Sequence, residues 1–208
     1  MSVEYKKGLL KGWVGTVFLL LLVFGSVPFA SAEKGDLSAE LMLGFGFGPD
    51  DRDFSYDTSF GPGVGFGYEF VDGVQLRVDA SYFMWDASGT VSDPFLPPSN
   101  RSAKLRNIPL FAGGRFFAPL TDAIHLFAEF GLSVNLLELK ETDSVLGTVS
   151  QSETKLGLVP GLGIEFRLSP KLGLGANVRY NLVAKGVGDF KEAGTSFLSA
   201  AGLVTYYF

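Results

Sequence analysis

The chain has 208 residues, with 17 Lys and Arg against 22 Asp and Glu, one His and no Cys. The missing thiols exclude disulfides, thiolate metal sites and thiol nucleophiles, and the acidic balance argues against nucleic acid, whose phosphates need a basic patch. Glycine (27) and phenylalanine (20) are both abundant, which leans toward strands with aromatic faces and small residues on their backs.

At the start, Lys6, Lys7 and Lys11 precede the apolar run Trp13 to Phe24, and Gly25, Pro28 and Ala30-Ser31-Ala32 follow it. A basic beginning, a short apolar stretch and an A-x-A site read as a secretory signal peptide over residues 1–32, cleaved after Ala32. A retained anchor would need about 20 apolar residues, and the run stops short of that. Taking away its three Lys and one Glu leaves 14 basic and 21 acidic side chains in residues 33–208, a net charge of −7.

From Ala39 to Gly48 the residues alternate: Leu41, Leu43, Phe45 and Phe47 against Glu40, Met42, Gly44, Gly46 and Gly48. That is the period of a strand. Pro49 to Phe60 is polar and turn-rich, a loop. Gly63 to Phe70 repeats the alternation, with Val64, Phe66, Tyr68 and Phe70 opposite Gly65, Gly67 and Glu69. Asp72-Gly73 is a hairpin turn.

The third strand, Val74 to Trp85, sets Val74, Leu76, Val78, Ala80, Tyr82 and Met84 against Gln75, Arg77, Asp79, Ser81, Phe83 and Trp85. Asp86 to Arg101, holding Pro94, Pro97 and Pro98, reads as a loop. The fourth strand runs from about Lys104 to Phe117, with Ile108, Leu110, Ala112, Gly114 and Phe116 on one face. Arg106, Phe111, Gly113 and Arg115 are expected on the other, and Pro109 predicts a bulge or a local edge.

Next, Ile124, Leu126, Ala128, Phe130, Leu132, Val134 and Leu136 alternate with His125, Phe127, Glu129, Gly131, Ser133 and Asn135. The polar stretch Glu138 to Glu153 separates this strand from the sixth. There Leu158, Pro160, Leu162, Ile164 and Phe166 oppose Val159, Glu165 and Arg167. Leu172, Leu174, Ala176, Val178, Tyr180 and Leu182 then oppose Asn177, Arg179 and Asn181, and Ala184 to Thr195 is a further loop. The closing stretch puts Val204, Tyr206 and Phe208 on a charge-free face. An apolar final strand would be a liability at an open edge, so it is expected to pair with the first and close a barrel.

Eight strands of about ten residues match the length a tilted strand needs to cross a bilayer. Their connections alternate long and short, as in barrels with short periplasmic turns and longer external loops. The expected fold is all-β: an eight-stranded antiparallel up-and-down transmembrane barrel over residues 33–208. A soluble barrel would share the periodicity, but its outer face would not be so rich in glycine. The apolar face also carries aromatics near strand ends, Tyr68, Phe70, Phe116, Phe166, Tyr206 and Phe208 at one level and Tyr82 and Tyr180 at the other, as interfacial girdles do.

Arg106-Asn-Ile-Pro-Leu-Phe-Ala-Gly-Gly-Arg-Phe116, Gly161-Leu-Gly-Ile-Glu-Phe-Arg-Leu-Ser-Pro-Lys171, Asn177-Val-Arg-Tyr180 and the terminal Phe resemble the OmpA-like outer-membrane β-barrel family. The resemblance covers residues 33–208 and implies a location in the Gram-negative outer membrane. It also implies that Val204, Tyr206 and Phe208 form a C-terminal assembly signal, read by the barrel-assembly machinery and periplasmic chaperones. The peptidoglycan-binding domain of OmpA itself has no counterpart in the sequence, so no tether to the cell wall is implied.

On the inward face the alternation collects Glu40, Glu69, Asp79, Glu129 and Glu165 with Arg77, Arg115, Arg167 and Arg179. Paired, they would plug a narrow barrel; unpaired, they would set the selectivity of a small, low-conductance, porin-like pore. The sole histidine, His125, has no Ser-His-acid set around it, so no enzyme is expected and His125 is read as a lumen hydrogen-bonder. Asp51, Asp53, Ser55 and Asp57 alternate as in a calcium loop, but Tyr56 and Pro62 stand where that motif needs Gly and Glu. Gly161-Leu-Gly163 lacks the third glycine of a dinucleotide site. No cofactor is expected, and the expected partners are outer-membrane lipid and lipopolysaccharide around a monomer. The function expected is a structural or surface-interaction role carried by the external loops, with the small pore as the alternative.

Overall fold

A computed structural model describes residues 35–48, 55–91, 99–143, 147–184 and 196–208. The segment read as a signal peptide, and Asp51 and Asp53 of the acidic loop, lie outside them. The strands are β1 (Leu37–Phe47), β2 (Ser55–Tyr56), β3 (Ser59–Val71), β4 (Val74–Ser81), β5 (Phe83–Val91), β6 (Ser99–Pro119), β7 (Ile124–Asp143), β8 (Gly147–Ser169), β9 (Leu172–Val183) and β10 (Phe197–Tyr207).

Alternation of apolar and polar side chains builds these strands, and antiparallel pairing between chain neighbours joins them. The ring runs β6-β4-β3-β1-β10-β9-β8-β7 and closes where β7 pairs β6. It therefore has the eight positions expected; β5 prolongs β4 along β6 in the same register, Ala80 opposite Leu110 and Phe83 opposite Asn107. β2 is a two-residue addition to β5. First and last strands meet from Ser38 opposite Tyr207 to Phe47 opposite Leu198. The Phe208 N–H donates to the Leu37 carbonyl at 3.0 Å, finishing the seam.

Exposure is inverted relative to a water-soluble globule. Leu41, Phe66, Leu132 and Leu156 face outward and are about 60 % exposed, while inward-facing Arg115, Glu129 and Glu165 are 2 % exposed or less. Only a hydrocarbon surround makes that arrangement favourable, because it hides the apolar wall and leaves no sheet edge open. The tight turns at Asp72-Gly73, residues 120–123 and residues 170–171 share one end of the barrel, called here the turn end. Gly73 takes φ 75°, as the tight hairpin requires. Around this end Tyr68, Phe70, Phe116, Phe166, Tyr206 and Phe208 are exposed as a belt, and Tyr82 is exposed at the opposite, loop end.

Three expectations change. Residues 138–153 are mostly strand, not loop: β7 and β8 stay paired from Glu138 opposite Ser152 to Asp143 opposite Gly147. Beyond the lipid the outer face of a sheet is wet, so polar residues there are compatible with strand, and polarity is a poor loop signal. β5 and β6 likewise run to Val91 and from Ser99, into the stretch read as a loop. Among the described residues, the strands thus rise furthest as a tall rim over β5 to β8.

The third change concerns Arg106, three residues before Pro109. No bulge occurs: the ladder with β7 runs straight through, Ile108, Pro109 and Leu110 facing Leu136, Asn135 and Val134. The missing N–H falls on the other side, opposite Ser81 at the break between β4 and β5, while the Tyr82 N–H continues the β3 ladder to the Pro62 carbonyl at 3.0 Å. That is the local edge a strand proline needs. With no register shift, Arg106 keeps the parity of Ile108 and faces outward, not into the lumen.

Small residues on one wall make room for long ones on the next. A Cβ built on Gly65 of β3 would lie 2.9 Å from the Arg77 Nη2 atom of β4 and 3.1 Å from the Asp79 Cβ. The inward glycines of β3 therefore let arginine and carboxylate side chains cross the narrow interior.

Candidate functional site

The interior is filled in layers, and each layer is set by the inward parity of the strands. At the turn end, His125 is fully buried, its ring centroid 6.5 Å from that of Phe117 at 90°. Glu69 accepts the Gly73 N–H at 2.6 Å and so serves the hairpin turn. Glu165 accepts the Tyr207 hydroxyl at 2.7 Å and the Arg167 Nε–H at 3.4 Å. The Arg167 guanidinium lies 4.6 Å from the centre of the Tyr207 ring.

Six of the nine expected lumen charges meet in the next layer as a closed cycle of alternating sign. Glu40 pairs with Arg77, whose Nε donates to Asp79 at 2.8 Å. Arg179 grips Asp79 with both amino groups, at 3.0 and 2.9 Å, and reaches Glu129 at 2.6 Å. Arg115 completes the cycle, 3.4 Å from Glu129 and 2.9 Å from Glu40. The Asn177 amide adds a bond to Glu129 at 3.0 Å and the Thr205 hydroxyl one to Glu40 at 3.3 Å.

The cycle draws on β1, β4, β6, β7 and β9, so it ties the barrel across its diameter. Three carboxylates and three guanidinium groups balance it. Aromatic rings back the cations: Arg115 lies 4.2 Å from the Phe127 ring centre and Arg179 4.9 Å from that of Phe111. Buried ions at this density survive because every one has opposite charges on both sides.

Above the cycle is a cavity of about 30 Å³, bordered by Asp79, Arg179, Asn177, Asn181 and Ser199 among others. It has room for about two waters. Asn107, Asn135 and Ser133 form a hydrogen-bonded row on the β6–β7 wall, with bonds of 3.1 and 2.8 Å.

The loop end is closed by carbon. Phe83 stacks on Trp85 at 5.6 Å, and Phe197 meets both edge-on at 5.4 and 5.0 Å. Leu105, Leu137 and Leu139 complete this buried cluster. The Trp85 Nε1–H is satisfied by the Gly46 carbonyl at 2.9 Å.

Alternation found every member of the charged cycle but not its closure, which depends on register between strands far apart in sequence. It did not single out Asn177, Thr205 or Tyr207, although each lies on the inward face. Leu137 and Leu139 were hidden by the polar context of the stretch around them. Val204, Tyr206 and Phe208 all face outward, with the Tyr206 and Phe208 rings 5.2 Å apart. Among the described residues, no group of three or more His, Asp or Glu converges on a point that an ion could occupy.

Comparison with known proteins gives the same architecture. A family model described as outer membrane protein beta-barrel domain matches residues 16–202. The outer membrane protein OprG of Pseudomonas aeruginosa aligns with a TM-score of 0.55 at 14 % identity, covering 86 % of this chain and 98 % of OprG. The N-terminal β-barrel domain of Pseudomonas aeruginosa OprF gives 0.51 at 11 %, over 84 % and 98 % of the two chains. Ail, the attachment invasion locus protein of Yersinia pestis, gives 0.50 at 16 %, over 84 % and 99 %. At these identities the likeness is one of fold. No curated protein sequence matches the chain.

Proposed function

Since this chain belongs to the outer membrane protein beta-barrel domain family, whose members sit in the Gram-negative outer membrane, we propose that it works as a closed barrel with a structural or surface-interaction role. The observation that carries this reading is the filled lumen: the charge cycle and the carbon layer lie one above the other, with a cavity of about 30 Å³ near them. A hydrated ion needs a continuous water path, and neither layer supports one. The surface role belongs to the tall rim of β5 to β8, whose tip at Gly147 to Ser152 is exposed on both faces.

Around this barrel the partners are the lipid and lipopolysaccharide of the outer membrane. During biogenesis, Val204, Tyr206 and Phe208 offer an aromatic outward face to the assembly machinery and its chaperones. The matched family and the aligned barrels are envelope proteins, and His125 lies beside Phe117 and opposite Glu165.

The test is planar-bilayer conductance of protein refolded in detergent, once a shift of gel mobility on heating shows that the barrel has formed. The expected record is flat. Discrete current steps from the same preparation would replace the closed barrel with the small pore and make Arg77, Asp79, Glu129 and Arg179 its selectivity-setting residues.

A further inference from the structure

Charge is distributed very unevenly over the outer wall. On the described strands, the outward-facing positions of β1, β3, β8, β9 and β10 carry no Asp, Glu, Lys or Arg. The outward charges are Asp86 of β5, Lys104 and Arg106 of β6, and Glu138 and Lys140 of β7, side by side at one height. Along β6, Arg106 is about ten positions from the belt residue Phe116, or roughly 33 Å of strand. At a tilt of about 40° that is roughly 25 Å of height, the thickness of the apolar band. The cluster therefore begins where the hydrocarbon ends.

Two ion pairs account for part of it: Lys104 with Asp86 at 3.3 Å and Arg106 with Glu138 at 3.2 Å. Lys140 is left over; it has no ion-pair partner among the described residues, and its directly opposite neighbour across the sheet is Lys104. Like charges placed opposite one another in a sheet repel. Beside them is a groove of about 420 Å³ lined by the apolar Tyr82, Ile108 and Leu136 and by the polar Arg106, Glu138, Glu153 and Thr154.

An apolar lining at the hydrocarbon boundary and, just above it, three basic side chains against two acidic ones have one natural complement, a lipid with a phosphate on its headgroup. We propose that Lys104, Lys140 and Arg106 bind the phosphate of an outer-leaflet phosphorylated glycolipid, with its acyl chains against Ile108 and Leu136. A phosphate beside Lys140 supplies the counter-charge that the two existing ion pairs, Lys104–Asp86 and Arg106–Glu138, leave missing. This inference rests on the outer-membrane barrel reading, and it fixes which side of the barrel the lipid holds.

The probe is diphosphorylated lipid A, added to the barrel in zwitterionic phosphatidylcholine nanodiscs, with bound lipid counted by native mass spectrometry after release into detergent. Each basic side chain near a membrane surface contributes about fivefold, so the K104Q/K140Q variant is expected to hold lipid A about 30-fold more weakly than the parent. The K171Q variant, whose lysine lies in a turn at the other end, is expected to hold it as the parent does. Equal retention by parent and double variant overturns the site, as does an equal loss in K171Q, which would mean attraction by net charge alone. Retention of dephosphorylated lipid A as strong as that of the diphosphorylated form also overturns it. Heat-modifiable mobility is scored on every sample; its absence from the parent would fault the barrel reading itself and not the lipid site.

Discussion

Two of the layers that fill this barrel use opposite chemistry in the same cylinder. Near the middle, six ionised groups alternate in sign around a closed cycle; at the loop end, Phe83, Trp85 and Phe197 pack with leucines. The carbon layer is favourable wherever it is excluded from water, and each contact contributes a little. The charge cycle is favourable only as a whole, because each ion has been desolvated and depends on two partners. One layer should therefore degrade gradually and the other fail abruptly. That contrast can be broken or sharpened by substitution.

The largest effect is expected for Glu129→Gln. It leaves Arg115 and Arg179 facing a neutral amide, and removing one member of a buried ion set costs about 3–5 kcal/mol. Denaturant titration of the folded band in detergent micelles would read it directly. A loss under about 1 kcal/mol would mean that water screens the cycle and that the two layers are less different than their geometry. Trp85→Ala should cost about 3 kcal/mol through its cavity and the lost Gly46 hydrogen bond. It should still give no current steps, since the charge cycle beneath remains closed; steps in this variant would make the carbon layer the sole seal.

A pair deletion sharpens the comparison further. Asp79→Leu with Arg179→Met should be less damaging than the sum of the two single changes by about 2 kcal/mol, because neither ion is left alone with the other's former partner. Equivalent double deletions in the carbon layer, such as Phe83→Ala with Leu139→Ala, should come closer to additivity. Gly65→Ala should cost about 1–2 kcal/mol by crowding Arg77. The smallest effect belongs to Asp86→Asn, whose exposed ion pair with Lys104 is worth less than about 1 kcal/mol.

Much of this was legible in the sequence. Period-two alternation gave the eight ring positions, the inward placement of Glu40, Arg77, Asp79, Arg115, Glu129 and Arg179, and the aromatic belt at the turn end. It worked because lipid on one side and a narrow interior on the other leave each position a single chemically sensible direction. It failed above the lipid boundary, where the outer face meets water and the constraint weakens, so Glu138 to Glu153 read as loop although most of it is sheet. Arg106 was misplaced for a related reason: proline signals an interrupted ladder, but not on which side. The closure of the charge cycle was beyond the pattern altogether, since it joins Asp79 to Arg179 across 100 positions of chain.

The seam between β1 and β10 has a kinetic consequence. Glu40 bonds Thr205 across it, 165 positions away, so the contacts that complete the cylinder are also among the most distant in the chain. Loop closure of that span must come before its hydrogen bonds can form, and non-local pairing of this kind is slow. Until β10 arrives, β1 offers an unpaired edge and Glu40 lacks part of its surroundings. The ordering of events is then fixed by topology: the hairpins can form early, and the cylinder with its interior salt cycle locks in a single late step.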